Sequence, residues 1–508
     1  MSSVPAAGRG VAAASAAIIG FFAAAVFPRA TWPLIDGDVW WHIRAGEEVL
    51  RTGAVARVDS WSIVGLGRPW TSQDWLANVL LASGNQLGPW GQTGLSVLFG
   101  AVTVASFWIL WRAIALRVPS IGWASRVMWL SIGLLLAGPV MGVRVQVLDL
   151  LMASMVIWVC WRYLTDPRPR WLAGLPIIAM VWANLHAGWV LLLLLGGAVL
   201  IGEAVDLMLR RRPAGAPLLA WRDLRDLAVA LVVSAGALAV NPNGFDLYAY
   251  PFETIGITAL NRYVMEWFPA SIDTLFGQLL VGFVLVAVLP ALVFGRQHLR
   301  TADALIMVGL TIMAYQAIRF LLITGPISAA IAAIVLSPVI AASRPGRRLS
   351  PILQRLAIPR QGRPRLVNTA LIGLVLIIGL GVAFIRVSPP AQAAEIARSM
   401  PVGAVRWMAE HDPGERIFNR YEWGGYIGQQ RPELPIFMDG RADVYGNELL
   451  QMYVSIIGLR NSPQGLLDQY DIDHAVFPPD TPLAEWFDES ERWSRAYADE
   501  TAVVWLRR

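Results

Sequence analysis

The sequence predicts a polytopic α-helical membrane protein with a small α/β domain at its C-terminal end. Three observations predict it. The chain of 508 residues is 56% hydrophobic and only 15% charged, where a soluble chain carries about a quarter charged residues. Its apolar runs are many and long. Arginine-rich connections alternate along it with acidic ones, as loops on opposite faces of a membrane do.

Runs at residues 11–28, 91–115, 127–143, 145–164, 171–185, 187–208, 225–240, 276–295, 301–318, 321–342 and 367–386 make about eleven candidate helices. All 41 basic residues are arginine, and the formal net charge is +5. They gather between the runs, which points to membrane orientation rather than nucleic-acid binding. One set of connections holds Arg112, Arg117 and Arg126, then Arg162, Arg168 and Arg170, then Arg210, Arg211 and Arg212, then Arg296 and Arg300. It ends on the basic stretch 344–365, with Arg347, Arg348, Arg355, Arg360, Arg363 and Arg365. The positive-inside rule makes these cytoplasmic. Residues 29–90, 141–147, about 184–188, 241–275 and all after 387 then face outside, with the N-terminus inside. The first apolar run reads as a retained helix rather than a cleaved signal. The single cysteine, Cys160, lies within an apolar run and has no partner for an intrachain disulfide.

Two domains are expected: a transmembrane part, 1–386, that includes the outer loop 29–90, and a soluble outer α/β part, 387–508. In the second, "PVGAVRWMAEHD" reads as a helix with Pro401 at its first turn. "RIFN", "PIFMDG" and "HAVFPP" read as short buried strands, with "ELLQMYVSIIG" as a helix between two of them.

On this topology the informative polar residues share one face. Asp36, Asp38, His42 and Arg44 follow the first run in "LIDGDVWWHIR". Asn184 and His186 end the fifth, Glu266 lies in "YVMEWFPAS", and Arg319 lies in "AIRF". The C-terminal part adds Trp423 and Tyr426 from "YEWGGYI", and Asp439 and Arg441 from "MDGR". Each has a plain structural reading. Trp40 and Trp41 suit an interfacial tryptophan belt, His186 suits helix packing, and "WGGYI" suits a glycine turn capping a helix. The belt does not explain the adjacent aspartates. Carboxylates one residue apart can share a cation or act as a base. An arginine at a span's outer end suits a lipid-linked phosphate.

In this order the motifs resemble those of the oligosaccharyltransferase catalytic subunit. The aspartate pair followed by "WWHIR" is similar to its D-x-D and YYH-x-R region. "YVMEWFPAS" is similar to its later acidic motif, "AIRF" to its phosphate-gripping arginine motif, and "YEWGGYI…MDGR" to its W-W-D-Y-G segment and the DG stretch after it. The wider class is the GT-C type membrane glycosyltransferases. The chain also resembles uncharacterised bacterial membrane proteins with D-x-D-x-WWHI and WGGY…DGR motifs. Two departures stand out. "MGVRVQVLDLL" places Arg144 and Gln146 where the family has a second acidic pair, with Asp149 about a turn deeper. The acceptor-reading aspartate of W-W-D-Y-G has no counterpart, since Glu422 precedes Trp423 and glycines follow. Recognition of an asparagine sequon is therefore not carried over.

The resemblance implies a glycosyltransferase of a bacterial cytoplasmic membrane. It would move a sugar from a polyprenyl-phosphate-linked donor to a glycan, lipid or protein acceptor on the outer face. Asp36, Asp38 and Glu266 are the expected catalytic carboxylates, or the ligands of a Mg2+ or Mn2+ ion if one is used. Arg319 and Arg144 are expected on the donor phosphate. His42, Arg44, Asn184, His186, Trp423, Tyr426, Asp439 and Arg441 are expected around them. A transporter or flippase of a lipid-linked saccharide is the alternative and predicts a midplane site between discontinuous helices. A non-enzymatic envelope scaffold is the third reading.

Overall fold

Within a bilayer every backbone N–H and C=O needs a partner in the chain, and an α-helix supplies all of them within one segment. The computed structural model describes residues 18–213, 217–343 and 365–508. The start of the 11–28 run and the basic stretch as far as residue 364 lie outside the described residues. Each expected span contains a helix where it is described, with ends that differ by a few residues. Six helices among the described residues are long and apolar enough to cross a membrane: Gly88–Arg117, Trp123–Val140, Gln146–Thr165, Ala187–Met208, Leu275–Phe294 and Ile318–Ala342. Gly373–Val387 makes a seventh if it and Pro389–Ser399, bent by 50°, form one span.

The other expected spans fall short of that standard for local reasons. Ile18–Ala30 and Thr301–Gln316 are apolar but shorter. Gly174–Leu185 has 12 residues and stops where His186 turns extended, at φ −168° and ψ 159°. Trp221–Leu238 opens on Arg222, Asp223, Arg225 and Asp226. Ile318–Ala342 is the innermost span, with 94% of its apolar window buried. Two buried ion pairs hold charges within the helical body, Arg117 with Asp303 at 3.0 Å and Arg300 with Glu203 at 2.5 Å.

The C-terminal part is a small α/β unit. Its strands are β1 (Ile417–Asn419), β2 (His474–Phe477), β3 (Trp493–Ala498) and β4 (Val503–Arg507), in the order β1-β2-β4-β3. β1 and β2 run parallel, with Phe418 opposite Ala475; the other pairs are antiparallel. Helices Tyr421–Gln430, Ala442–Ile457 and Pro463–Gln469 lie between the two parallel strands in the chain. "PIFMDG" is not a strand of this sheet. The backbone N–H of Ile436 donates to Trp61 and its carbonyl accepts from Ile63, so the segment pairs with the 29–90 loop.

That loop is itself structured. Asp36 caps the helix Gly37–Thr52 by accepting the N–H of Asp38 at 2.9 Å, as N-cap aspartates do. Trp40, Ile43 and their neighbours form the buried side of this helix. Tyr421–Gln430 packs across it, with Tyr426 edge-on to Trp40 at 4.9 Å between ring centroids. "WGGYI" therefore lies inside a helix rather than in a capping turn, and its glycines permit a close crossing. A Cβ on Gly425 would stand 2.7 Å from the carbonyl oxygen of Gly37.

Candidate active site

The polar residues meet where the 141–145 turn, the 241–275 segment and the start of the Gly37–Thr52 helix come together. Arg144 is the hub. Its Nε pairs with Asp36, and its Nη1 donates to Oε2 of Glu266 at 3.1 Å. The other oxygen of Glu266 lies 3.2 Å from Nη1 of Arg319. The Arg319 guanidinium stacks over Trp267 at 4.5 Å, which fixes its plane. Burial pushes the Glu266 carboxyl up, but Arg319 and Arg144 together hold it below its usual range.

Asp38 has no arginine of its own. Burial first, then the charges of Asp36 and Glu266, raise its carboxyl well above the usual carboxylate range. It is wedged against the C-terminal part: a Cβ on Gly440 would stand 1.8 Å from its Oδ1. Two carboxylates two residues apart thus have opposite environments, one ion-paired and one desolvated. Such divergence separates acid–base roles in active sites.

A further dyad lies beside this cluster. His186 Nδ1 is 2.6 Å from Asp149 Oδ2, and Trp182 donates to the other Asp149 oxygen at 2.7 Å. Asp149 was legible in the sequence only as an acid a turn below the expected pair. The extended backbone at His186 gives the histidine its reach to Asp149.

The other expected residues are engaged in contacts of their own. Arg441 is fully buried, paired with Asp439 at 2.9 Å and Asp59 at 2.8 Å, between Trp61 at 4.2 Å and Trp70 at 4.6 Å. The Tyr445 hydroxyl donates to Asp439 at 3.0 Å. "DGR" is therefore a sealed clamp joining the C-terminal part to the 29–90 loop. The Trp423 indole donates to the carbonyl of Ser399 at 2.9 Å, and Tyr426 is buried against Trp40. His42 is buried on Trp41, with Nδ1 2.6 Å from Asn78 Oδ1, and burial lowers its basicity. Arg44 reaches the carbonyl of Pro432 at 3.0 Å and covers Trp61. Asn184 donates to the carbonyls of Met180 and Val240 and accepts from Trp75. Asp59, Trp61 and Trp70 were missed because a lone aspartate among tryptophans carries no motif.

A cavity of about 380 Å³ opens where the first loop, the 241–275 segment and the C-terminal part meet. Arg68 and Thr71 come from the first loop, Tyr250 and Glu253 from the 241–275 segment, and Asp443 from the C-terminal part. Asp443 is raised to about 7, chiefly by burial. The Tyr250 hydroxyl lies within electrostatic reach of Asp443, Asp74 and Arg319, which ties this cavity to the arginine cluster.

The expected set of Asp36, Asp38 and Glu266 does not present a divalent-cation site among the described residues. Both oxygens of Asp36 and both of Glu266 already have N–H partners. Among the described residues no three histidine, cysteine or acidic side chains come together as ligands.

No protein-family model matches the chain, and no curated protein matches its sequence. Solved structures do match in fold. The archaeal oligosaccharyltransferase AglB from Archaeoglobus fulgidus, in complex with an inhibitory peptide and a dolichol-phosphate, aligns over 92% of this chain and 69% of its own. The TM-score is 0.55 at 12% identity. A structure of the A. fulgidus oligosaccharyltransferase with Zn and sulfate aligns over 98% and 73%, with TM-score 0.51 at 12% identity. ArnT from Cupriavidus metallidurans aligns over 97% of each chain at 15% identity, with TM-score 0.47. The chain shares the fold of the A. fulgidus oligosaccharyltransferase structures.

Proposed function

We propose that this chain is a membrane glycosyltransferase. It takes a sugar from a polyprenyl-phosphate-linked donor and transfers it to an acceptor hydroxyl of a glycan, lipid or protein on the outer face of the membrane. The observation that carries this reading is the pair of guanidiniums, Arg144 and Arg319, joined through Glu266 next to the desolvated Asp38. The same fold held a dolichol-phosphate and a peptide in AglB. In the reading, the guanidiniums of Arg144 and Arg319 take the donor phosphate. The sugar enters the cavity by Tyr250 and Asp443, whose polar groups suit its hydroxyls. Asp38 accepts the acceptor's proton. The acceptor atom bonds to the anomeric carbon as the bond from that carbon to the phosphate oxygen breaks. The electron pair leaves on that oxygen, beside the two arginines, where preorganised positive charge counts most in a dry site. Asp36 holds Arg144 in place. The His186–Asp149 dyad adds a positioned imidazole at the cluster's edge.

The reading places the chain in a bacterial cytoplasmic membrane, and the arginine asymmetry supports an N-terminus inside and residues 387–508 as a separate outer domain. The deciding assay is transfer of labelled sugar from a polyprenyl-linked donor in purified membranes, with Asp36→Asn and Asp38→Asn made singly and together. Wild-type rates in all three variants would defeat the reading. A reporter fused after residue 386 should be active only in its exported form, and a cytoplasmic C-terminus would defeat the one-face site.

A further inference from the structure

We infer that Arg144 stands where a divalent cation would sit between the carboxylates, so that the cluster is a built-in, metal-free electrophile. The chemistry assigned to Arg144 rests on the glycosyl-transfer reading; the displacement of the cation rests on geometry alone.

A Mg2+ or Mn2+ ion draws several oxygens to about 2.1 Å and needs carboxylates free to turn toward it. Asp36 and Glu266 face each other, but across a guanidinium. Oδ1 of Asp36 accepts the Asp38 N–H at 2.9 Å, and its Oδ2 takes Nε of Arg144. Oε2 of Glu266 takes Nη1 of Arg144 at 3.1 Å, and Oε1 takes Arg319 at 3.2 Å. A cation placed there would displace Arg144 from both carboxylates at once and meet its charge.

A further acid that could join a ligand set, Asp149, is also engaged. Asp149 is bound on one oxygen by the Trp182 indole at 2.7 Å and on the other by His186 at 2.6 Å. The Arg144 side chain is 29% exposed, so it is open to a ligand from one side while its partners grip it from the other. Its charge cannot be removed by chelation or by any physiological pH. The two carboxylates and the two arginines balance, and Asp38 makes no ion pair of its own among the described residues.

The test uses the full-length protein purified in detergent. Free Mn2+ is followed by its paramagnetic resonance signal during titration, a readout independent of any donor. Wild type should take up no stoichiometric Mn2+. Arg144→Asp, which opens the space and adds a third carboxylate, should bind one Mn2+ per chain. In the transfer assay wild type should be indifferent to chelator, and Arg144→Ala should lose about 10²- to 10³-fold. Stoichiometric Mn2+ on wild type, loss of transfer on chelation, or a folded Arg144→Asp protein that binds no Mn2+ would each overturn the inference. If Arg144→Asp does not fold, the wild-type titration still decides. Failure of wild type to transfer from any donor would strike the glycosyl-transfer reading instead and leave the Mn2+ result standing.

Discussion

Nη1 of Arg144 lies 3.1 Å from Oε2 of Glu266, across 122 residues of sequence. That contact joins the turn before the helix Gln146–Thr165 to the segment before the helix Leu275–Phe294, and the candidate site is built around it.

The first prediction concerns that coupling. Glu266→Gln keeps the shape of the side chain but removes the charge that orients both arginines. Transfer should fall for Glu266→Gln and for Arg144→Gln. The double variant should fall by less than the two losses combined, because neither arm works without the other. Residues in one network typically couple by about 0.5–3 kcal/mol. Strictly additive losses in a double-mutant cycle on kcat/KM would show two independent residues.

The second concerns Asp38 and pH. A base works only when ionised, and this carboxyl is raised well above its usual range by burial and by Asp36 and Glu266. The transfer rate should therefore rise with pH through a limb above the ordinary carboxylate value of about 4. Asp38→Asn should abolish that limb and lower the rate by about 10²- to 10⁴-fold. Stability should move the other way. A folded pKa above the unfolded one makes a contribution that is fully present below the unfolded value and lost as pH rises through the folded value. Asp38→Asn should thus match wild type in Tm at low pH and exceed it at pH 8. A lower Tm for the variant at pH 8 would mean that the ionised carboxylate is well solvated or paired.

The third tests the wedge between Asp38 and the C-terminal part. A Cβ on Gly440 would fall 1.8 Å from Asp38 Oδ1 and 3.0 Å from the Trp41 indole nitrogen. Gly440→Ala should cost transfer about as much as losing the aspartate, while the protein still inserts. In an Asp38→Ala background the same change should do little to Tm, since the oxygen it strikes is gone. Equal Tm losses in both backgrounds would place the strain elsewhere.

The fourth concerns the clamp. Arg441→Ala would leave Asp439 and Asp59 buried and unpaired. Removing one partner of a buried ion pair costs about 3–5 kcal/mol. Arg441→Lys should recover little, since an ammonium lacks the fork for Asp439 and the plane that stacks between Trp61 and Trp70. Limited proteolysis should show the C-terminal part released from the 29–90 loop. A Tm for Arg441→Lys equal to wild type would reduce the clamp to simple charge.

Much of this protein was legible along the chain. The apolar runs mark helices because run length and composition are local properties, and each run contains a helix where it is described. The cluster of Asp36, Arg144, Glu266 and Arg319 was expected because the positive-inside rule puts all four on one face. What remained hidden depends on which way side chains point across long separations. Asp36 and Asp38 look equivalent in "DGD", yet the helix start turns one into a cap bound to Arg144 and buries the other against Gly440. Asp439 and Arg441 look like exposed site residues in "MDGR", yet two tryptophans and an aspartate from another segment seal them. "PIFMDG" has the composition of a sheet strand, but its backbone pairs with residues 61–63. A motif states which groups are available; the packing of distant segments decides which are desolvated, which are paired and which still face an open cavity.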